Sequence, residues 1–415
     1  MSFPLDRRPI VPTDETLYEV APGFALIGGE DGRPVVLWHP LSGARMKLGR
    51  LGQAVTERFQ TPRSVASARS SLMHAFPGLD DATFDAALAT LQEAGALRPH
   101  NPFFVRLPNS RGGMFNSPVV DAATAFAGEV ADVLFLGAPY DLGVTNRPGA
   151  RAAPAWMRRA SGALYQYPQS ADLPAGIWDP TVAAQRLQNI RMADLGDLVA
   201  TVHHRNGEIF DVLEDFVARA VEAHRLPVVL GGDHSLSLAV ARGAAAVGAL
   251  GVVQFDAHDD LADGAPEDWR AQCHHGNFMS WVIADERIKR VVQIGVRQRT
   301  AEVPTRHDKL FVLPGRQAEL LSLEELLAVL PDNLAWHVSL DVDALDPSAL
   351  RATGTPLPGG FAPQAVASLV ETICRNRRVI ALDVMELIPD EHSDVDALIV
   401  ADILLRAIDA TKAPR

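Results

Sequence analysis

Beyond residue 130 the chain alternates short apolar runs with helical stretches, and few architectures accept that alternation. The runs are Val133–Leu136, Pro227–Leu230, Val252–Phe255, Val291–Ile294, Trp336–Leu340 and Val379–Leu382, all rich in Val, Ile and Leu. Between them, Phe210, Leu213, Val217 and Val221 recur at helical spacing, and 364–374 and 397–408 also read as helices. Short apolar strands separated by helices predict a parallel sheet covered on both faces. Hydrophobic residues make up 47% of the chain and charged ones 21%, so it can bury a large core and is not globally disordered.

Residues 15–100 read as a separate module. Short strands at 24–27 and 34–38 flank Gly28–Gly32, a hairpin turn. Asp80–Ala94 puts Phe84, Leu88 and Leu91 on one helical face and ends at Gly95. A hairpin with three short helices suggests a winged-helix-like α+β domain over 1–100. Prolines, asparagines and Arg111-Gly112-Gly113 make 101–125 a linker. The larger domain is then 126–415.

The net charge of −13 argues against nonspecific nucleic-acid binding and weakly favours cationic substrates. Only Cys273 and Cys374 occur, so a reducing compartment is expected and a disulfide framework is not. No apolar stretch reaches about 18 residues, and the first residues lack a signal-peptide core. A cytoplasmic protein without a membrane span is the expectation.

Metal-type side chains gather at the ends of the apolar runs. His234 follows Gly231-Gly232-Asp233; Asp256, His258 and Asp260 follow Phe255; Asp341 and Asp343 follow Leu340. In an extended chain, residues two apart point the same way, and open α/β sheets build sites beyond the carboxyl ends of their strands. Four Asp and two His can meet there. Mostly oxygen with some imidazole suits Mn²⁺, and leaves Zn²⁺, Co²⁺ and Ni²⁺ possible. Six ligands for two ions require bridging carboxylates, which bring ions to about 3.5–4 Å and let them share a hydroxide. Asp233 or Asp346 alone reads equally well as a turn or cap residue.

These segments resemble the ureohydrolases: arginase, agmatinase, guanidinobutyrase, formimidoylglutamase and related guanidine hydrolases. The resemblance spans about 130–410 and includes Gly137–Asp141, Arg147–Arg151, Pro154, Asp194–Asp197 and Thr353–Pro356. It implies a three-layer α/β/α fold and two Mn²⁺ per chain. One ion would take His234, Asp256, Asp260 and Asp341; the other would take His258, Asp256, Asp341 and Asp343. Asp256 and Asp341 would bridge. His275 matches the family's proton-shuttling histidine and Glu386 the acid that holds the guanidinium, while Asp260 can orient the hydroxide. The adjacent His274 reads as a solvated loop residue and Cys273 as a packed one. Family members often form trimers or hexamers, so the resemblance implies a homo-oligomer.

The stretch Leu261–His274 does not show the pattern with which arginases hold free arginine. The module at 15–100 loosely resembles PqqD-like domains that bind leader peptides, through Leu37–Pro40, Leu48–Gly52 and Leu91–Leu97. Such a fusion resembles the peptide arginases, which convert arginine in a ribosomal precursor peptide to ornithine. A small-molecule ureohydrolase is the alternative.

Overall fold

The computed structural model describes residues 17–20, 24–27, 35–38, 45–99, 104–105, 112–120, 125–126, 131–164, 176–198, 208–262, 269–301, 307–390 and 392–412. They fall into two units, Met1–Pro102 and Phe103–Arg415.

The N-terminal unit contains β1 (Leu17–Val20), β2 (Ala25–Ile27), β3 (Val35–Trp38), β4 (Arg45–Leu48), β5 (Arg63–Ser64) and β6 (Leu97–Pro99). They form two small antiparallel sheets, β5-β1-β6 and β2-β3-β4. Helices Arg50–Arg58, Val65–Ala75 and Asp81–Glu93 complete an α+β unit. Asp80 starts the third helix by accepting from Thr83 N at 2.7 Å, a cap of about 1 kcal/mol. Gly95 takes φ +66 just beyond its end, a left-handed turn that glycine adopts without strain. Phe84, Leu88 and Leu91 meet Leu37, Val55, Phe59 and Leu72 in the unit's own core. The turn Gly28–Gly32 and residues His39 and Pro40 lie outside the described residues.

The described residues within 101–125, namely 104–105, 112–120 and 125, pack as part of the large unit, which a plain linker would not do. Phe104–Val105 forms β7, antiparallel to β11 (Met192–Leu198) of the large unit. Met114 and Phe115 are fully buried. Gly113 mimics a linker residue for a packing reason: a Cβ there would stand 2.2 Å from the Asp194 side chain.

The remaining strands are β8 (Val133–Gly137), β9 (Ile177–Asp179), β10 (Ala184–Arg186), β12 (Leu226–Leu230), β13 (Leu250–Phe255), β14 (Ile288–Ile294), β15 (Leu310–Leu313), β16 (Ala335–Asp341) and β17 (Arg378–Met385). Among the described residues, strands β9 and β10 pair only with each other. The others join β7 and β11 in a nine-stranded sheet ordered β15-β14-β13-β16-β17-β12-β8-β11-β7, parallel except for β7. Alternate residues supply two cores. Val253, Phe255, Val338 and Leu340 pack with helices Ala153–Leu164, Pro363–Asn376 and Val395–Lys412. Val252, Val291 and Ala381 pack with helices Glu208–Glu222, Ser237–Ala244 and Phe278–Ala284. The result is the expected three-layer α/β/α sandwich.

Two parallel strands lie outside the six runs: β15 is a further short apolar run, whereas β11 escapes the apolar-run criterion. Strand β11 carries Asp194 and Asp197 because buried Arg158 neutralises both, with Nε 2.8 Å from Asp194 Oδ2 and Nη1 against Asp197.

Asp346 turns out to organise the loop after β16. Its side chain accepts from Ser348 N and Oγ and from the N–H groups of Gly359 and Gly360. The Ser348 bonds and these amides hold its carboxyl at about 2, below the ordinary 3.8. A depressed folded-state pKa adds stability above the ordinary value and loses it as pH falls through the folded one. Asp346→Asn is therefore expected to be less stable than wild type at neutral pH, with the gap closing between about pH 4 and 2 in denaturant melts. Asp346 is half-buried and near the surface, so solvent screening keeps the gap small.

Candidate metal centre

Two glycines let the chain turn sharply from β12 towards the site. A Cβ at Gly231 would strike Met385 Sδ at 1.9 Å, and one at Gly232 would strike Tyr140 O at 1.6 Å. Asp233 then caps the turn His234–Leu236, accepting from Ser235 N at 3.1 Å and from Gly143 N at 2.8 Å. Burial, and next the charge of Glu386, push its carboxyl up to about 7. Asp233 is thus a tether for the loop around Gly143.

The turn delivers His234 into a cluster of carboxylates. Its Nδ1 lies 3.0 Å from Asp256 Oδ2, 3.2 Å from Asp260 Oδ2 and 3.1 Å from Asp341 Oδ2. Beside it, His258 Nδ1 lies 3.0 Å from Asp343 Oδ2 and 3.4 Å from Asp256 Oδ1. Asp256 thus turns one oxygen to each histidine. All six residues converge, but not as one extended strand. Strand β13 ends at Phe255, and Asp260 sits at φ +51. Asp341 ends β16, and Asp343 lies in the short helical turn Val342–Ala344. Left-handed backbone is costly for a non-glycine residue and concentrates at functional sites.

The cluster is electrically unbalanced. Burial raises the carboxyls of Asp260, Asp341 and Asp343, and Asp256 beside each raises them further. Burial would raise Asp256 too, but His234 and His258 outweigh it and hold that carboxyl low. Burial opposes protonation of His258, yet Asp256 and Asp343 push it up to about 11. Four buried carboxylates around two imidazoles call for cations. His234 Nδ1 is buried without a hydrogen bond, which is the state of a nitrogen lone pair available to a metal. The donor set therefore fits hard or borderline divalent ions.

A second group adjoins the first. His275 Nδ1 lies 3.0 Å from Glu386 Oε1, which also accepts from His234 N at 2.9 Å. Burial opposes protonation of His275, but Glu386 overrides it and raises the ring's pKa. Thr145 meets His275 Nε2 with its N–H at 3.0 Å and its hydroxyl at 2.7 Å. Glu386 has φ +64, and its Oε2 is buried with no partner. His234, His258, Asp260, His275, Asp341 and Thr145 all line a cavity of about 1140 Å³. Half-buried His274 lines it too, its Nδ1 accepting from Gly276 N at 3.2 Å. Burial lifts the Cys273 thiol to about 12, which leaves it unreactive at neutral pH.

The arginase family profile matches residues 131–409. The chain belongs to the arginase family. Mitochondrial guanidino acid hydrolase of Homo sapiens is 28% identical over 322 residues, 75% of this chain and 86% of that protein. Mitochondrial agmatinase of Gallus gallus is 28% identical over 337 residues, 78% and 93% of the two chains. The solved structure of proclavaminate amidinohydrolase from Streptomyces clavuligerus aligns with TM-score 0.57 at 26% identity, over 75% of this chain and 97% of that one. This arginase-family chain is accordingly a hydrolase that acts on guanidino groups.

Four further polar residues around the site were not singled out from the sequence. Thr145, Gln254, Ser339 and Asp383 each bond a site side chain or its direct partner. Thr145 is a common loop residue, and only the fold brings it to His275. The polar Gln254 and Ser339, each two residues before a metal-type Asp, were a readable hint. Arg270 of the stretch before His275 pairs with Asp211 at 2.7 Å, whereas Asp263, Glu267 and Asp268 lie outside the described residues. Among the described residues, no helix is long and apolar enough to cross a membrane.

Proposed function

We propose that the chain hydrolyses a guanidino group to urea and an amine at two divalent cations, by preference Mn²⁺. The unpartnered Nδ1 of His234 among three carboxylate oxygens is the observation that carries this reading. His234, Asp256, Asp260 and Asp341 would hold one ion, and His258, Asp256, Asp341 and Asp343 the other. When bound, such a pair supplies hydroxide at neutral pH by lowering the pKa of water.

The chain's own residues do the rest. Asp260 orients the nucleophile by accepting a hydrogen bond. The free Oε2 of Glu386 accepts from the planar guanidinium, a charge-assisted bond. His275 gives a proton to the departing amine. Thr145 serves both forms of that ring: its N–H donates to bare Nε2, and its hydroxyl accepts from protonated Nε2. His275→Asn is expected to lower kcat about 10²-fold or more while leaving metal content unchanged. Urea release from a guanidine panel, abolished by EDTA and restored by Mn²⁺, tests the reading; no urea from any guanidine after Mn²⁺ loading would end it.

The substrate we favour is an arginine side chain in a precursor peptide, converted to ornithine, with the N-terminal unit as a leader-binding domain. That unit has its own core and lies outside the matched family segment. In its second sheet β3 is central, and among the described residues β2 and β4 have no further strand beside them, which would let a peptide add there as a strand. Tethering would raise the local concentration of the core peptide. A core peptide fused to its leader should then show a kcat/KM at least about tenfold above the same core alone. Resemblance to agmatinase and guanidino acid hydrolase favours a small guanidine instead; equal rates with and without leader would select it. Assembly into trimers or hexamers and a cytoplasmic setting belong to the same proposal.

A further inference from the structure

Strands covered by helices on both faces are expected to be apolar throughout. One row across this sheet is not. Gln293 of β14 is in register with Gln254 of β13, Gln254 with Ser339 of β16, and Ser339 with Asp383 of β17. These strands are neighbours, and all four side chains are at most 1% exposed. The row lies one step beneath the metal-type layer, since Asp256 and Asp341 follow Gln254 and Ser339 by two residues and share their face.

Buried polar groups are costly unless bonded, and these are bonded in two branches. In the first, Gln293 Nε2 donates to Gln254 Oε1 at 2.8 Å and to Asp259 O at 2.6 Å. Gln254 Nε2 donates onward to Asp256 Oδ2 at 2.7 Å and Asp260 Oδ2 at 2.9 Å. In the second, His337 Nε2 lies 2.6 Å from Asp383 Oδ2, and Ser339 Oγ donates to Asp383 Oδ1 at 2.6 Å. Ser339 Oγ is in turn 2.9 Å from His234 Nε2 and 3.1 Å from Ser237 Oγ.

With its hydroxyl proton directed at Asp383 Oδ1, Ser339 Oγ presents a lone pair that can accept Nε2–H of His234. That leaves Nδ1 bare, facing Asp256 Oδ2, Asp260 Oδ2 and Asp341 Oδ2. Both branches end on this group. Gln254 bonds the Asp256 oxygen that faces His234, not the one that faces His258.

Resting on the two-cation reading above, we propose that Gln293, Gln254, Ser339 and Asp383 form an orienting layer for one cation of the pair, the one held by His234. They are positioning residues and touch no substrate. Partners of this kind typically change metal affinity by about 10- to 100-fold.

The test is a Mn²⁺ titration of the full chain, followed by calorimetry and by the paramagnetic resonance signature of a coupled ion pair. Wild type is expected to bind two ions. Ser339→Ala, Asp383→Asn and Gln254→Met should each weaken one site by about 10- to 100-fold and leave the other within about threefold. The pair signature should give way to that of an isolated ion. His258→Ala removes the other site, so His258→Ala with Ser339→Ala should bind no ion tightly. Ser339→Thr, which keeps the hydroxyl, should retain both ions. If Asp383→Asn fails to fold, Ser339→Ala and Gln254→Met still probe the two branches. Equal weakening of both sites, or none, in variants with wild-type circular dichroism overturns the orienting layer alone. Fewer than two ions in wild type overturns the two-cation reading and this inference with it.

Discussion

Asp256→Asn is expected to end urea release, lowering kcat/KM by about 10³-fold or more, and to leave fewer than one tightly bound Mn²⁺ per chain. Among the described residues, Asp256 joins the cluster of His234, Asp256 and Asp260 to the cluster of Asp256, His258 and Asp343. Its Oδ2 faces His234 and its Oδ1 faces His258. An amide keeps the shape but offers one neutral oxygen and one N–H, so one histidine would face a donor. Losing the nucleophile that a cation pair supplies removes several kcal/mol of stabilisation, and each 1.36 kcal/mol is tenfold in rate. Melting curves give a second readout. Mn²⁺ should raise the wild-type Tm by mass action and should scarcely move the Tm of the variant. A variant that still gained Tm from Mn²⁺ would show that Asp256 does not join the ions.

Glu386→Gln is expected to lower kcat/KM by about 10²-fold or more with two Mn²⁺ still bound. Glu386 meets His234 only at its backbone N–H and meets the His275 ring through Oε1. Both contacts survive if the amide oxygen takes the Oε1 position. What disappears is the charge at buried, unpartnered Oε2, where the variant would present an N–H to a cationic guanidinium. Metal content separates this outcome from that of Asp256→Asn. Steady-state kinetics with parallel elemental analysis measures both. Loss of the ions would instead mean that Glu386 supports the cluster through His234.

Much of this was legible in the residues. Six apolar runs became six of the eight parallel strands, because a strand buried on both faces must be apolar and its composition shows it. Strand β11 was illegible because its aspartates are neutralised by Arg158, more than thirty residues away in the chain. The segment around Gly113 read as a linker because close packing against Asp194 and flexibility both call for glycine.

The six metal-type side chains were named from their positions at strand ends. Their convergence was expected, but not that Asp260 and Asp343 reach the site through turns, since left-handed backbone at Asp260 is imposed by the surroundings and not by local preference. The sequence by itself determined the layered sheet, the family and the acid and imidazole groups at its strand ends. Only the tertiary structure decided which oxygen faces which nitrogen, how Thr145 attends His275, and that a polar row runs beneath the site. The row depends on register between residues 39 to 85 apart in the chain, and the Thr145 contact joins loops 130 residues apart; local pattern carries no information across such distances.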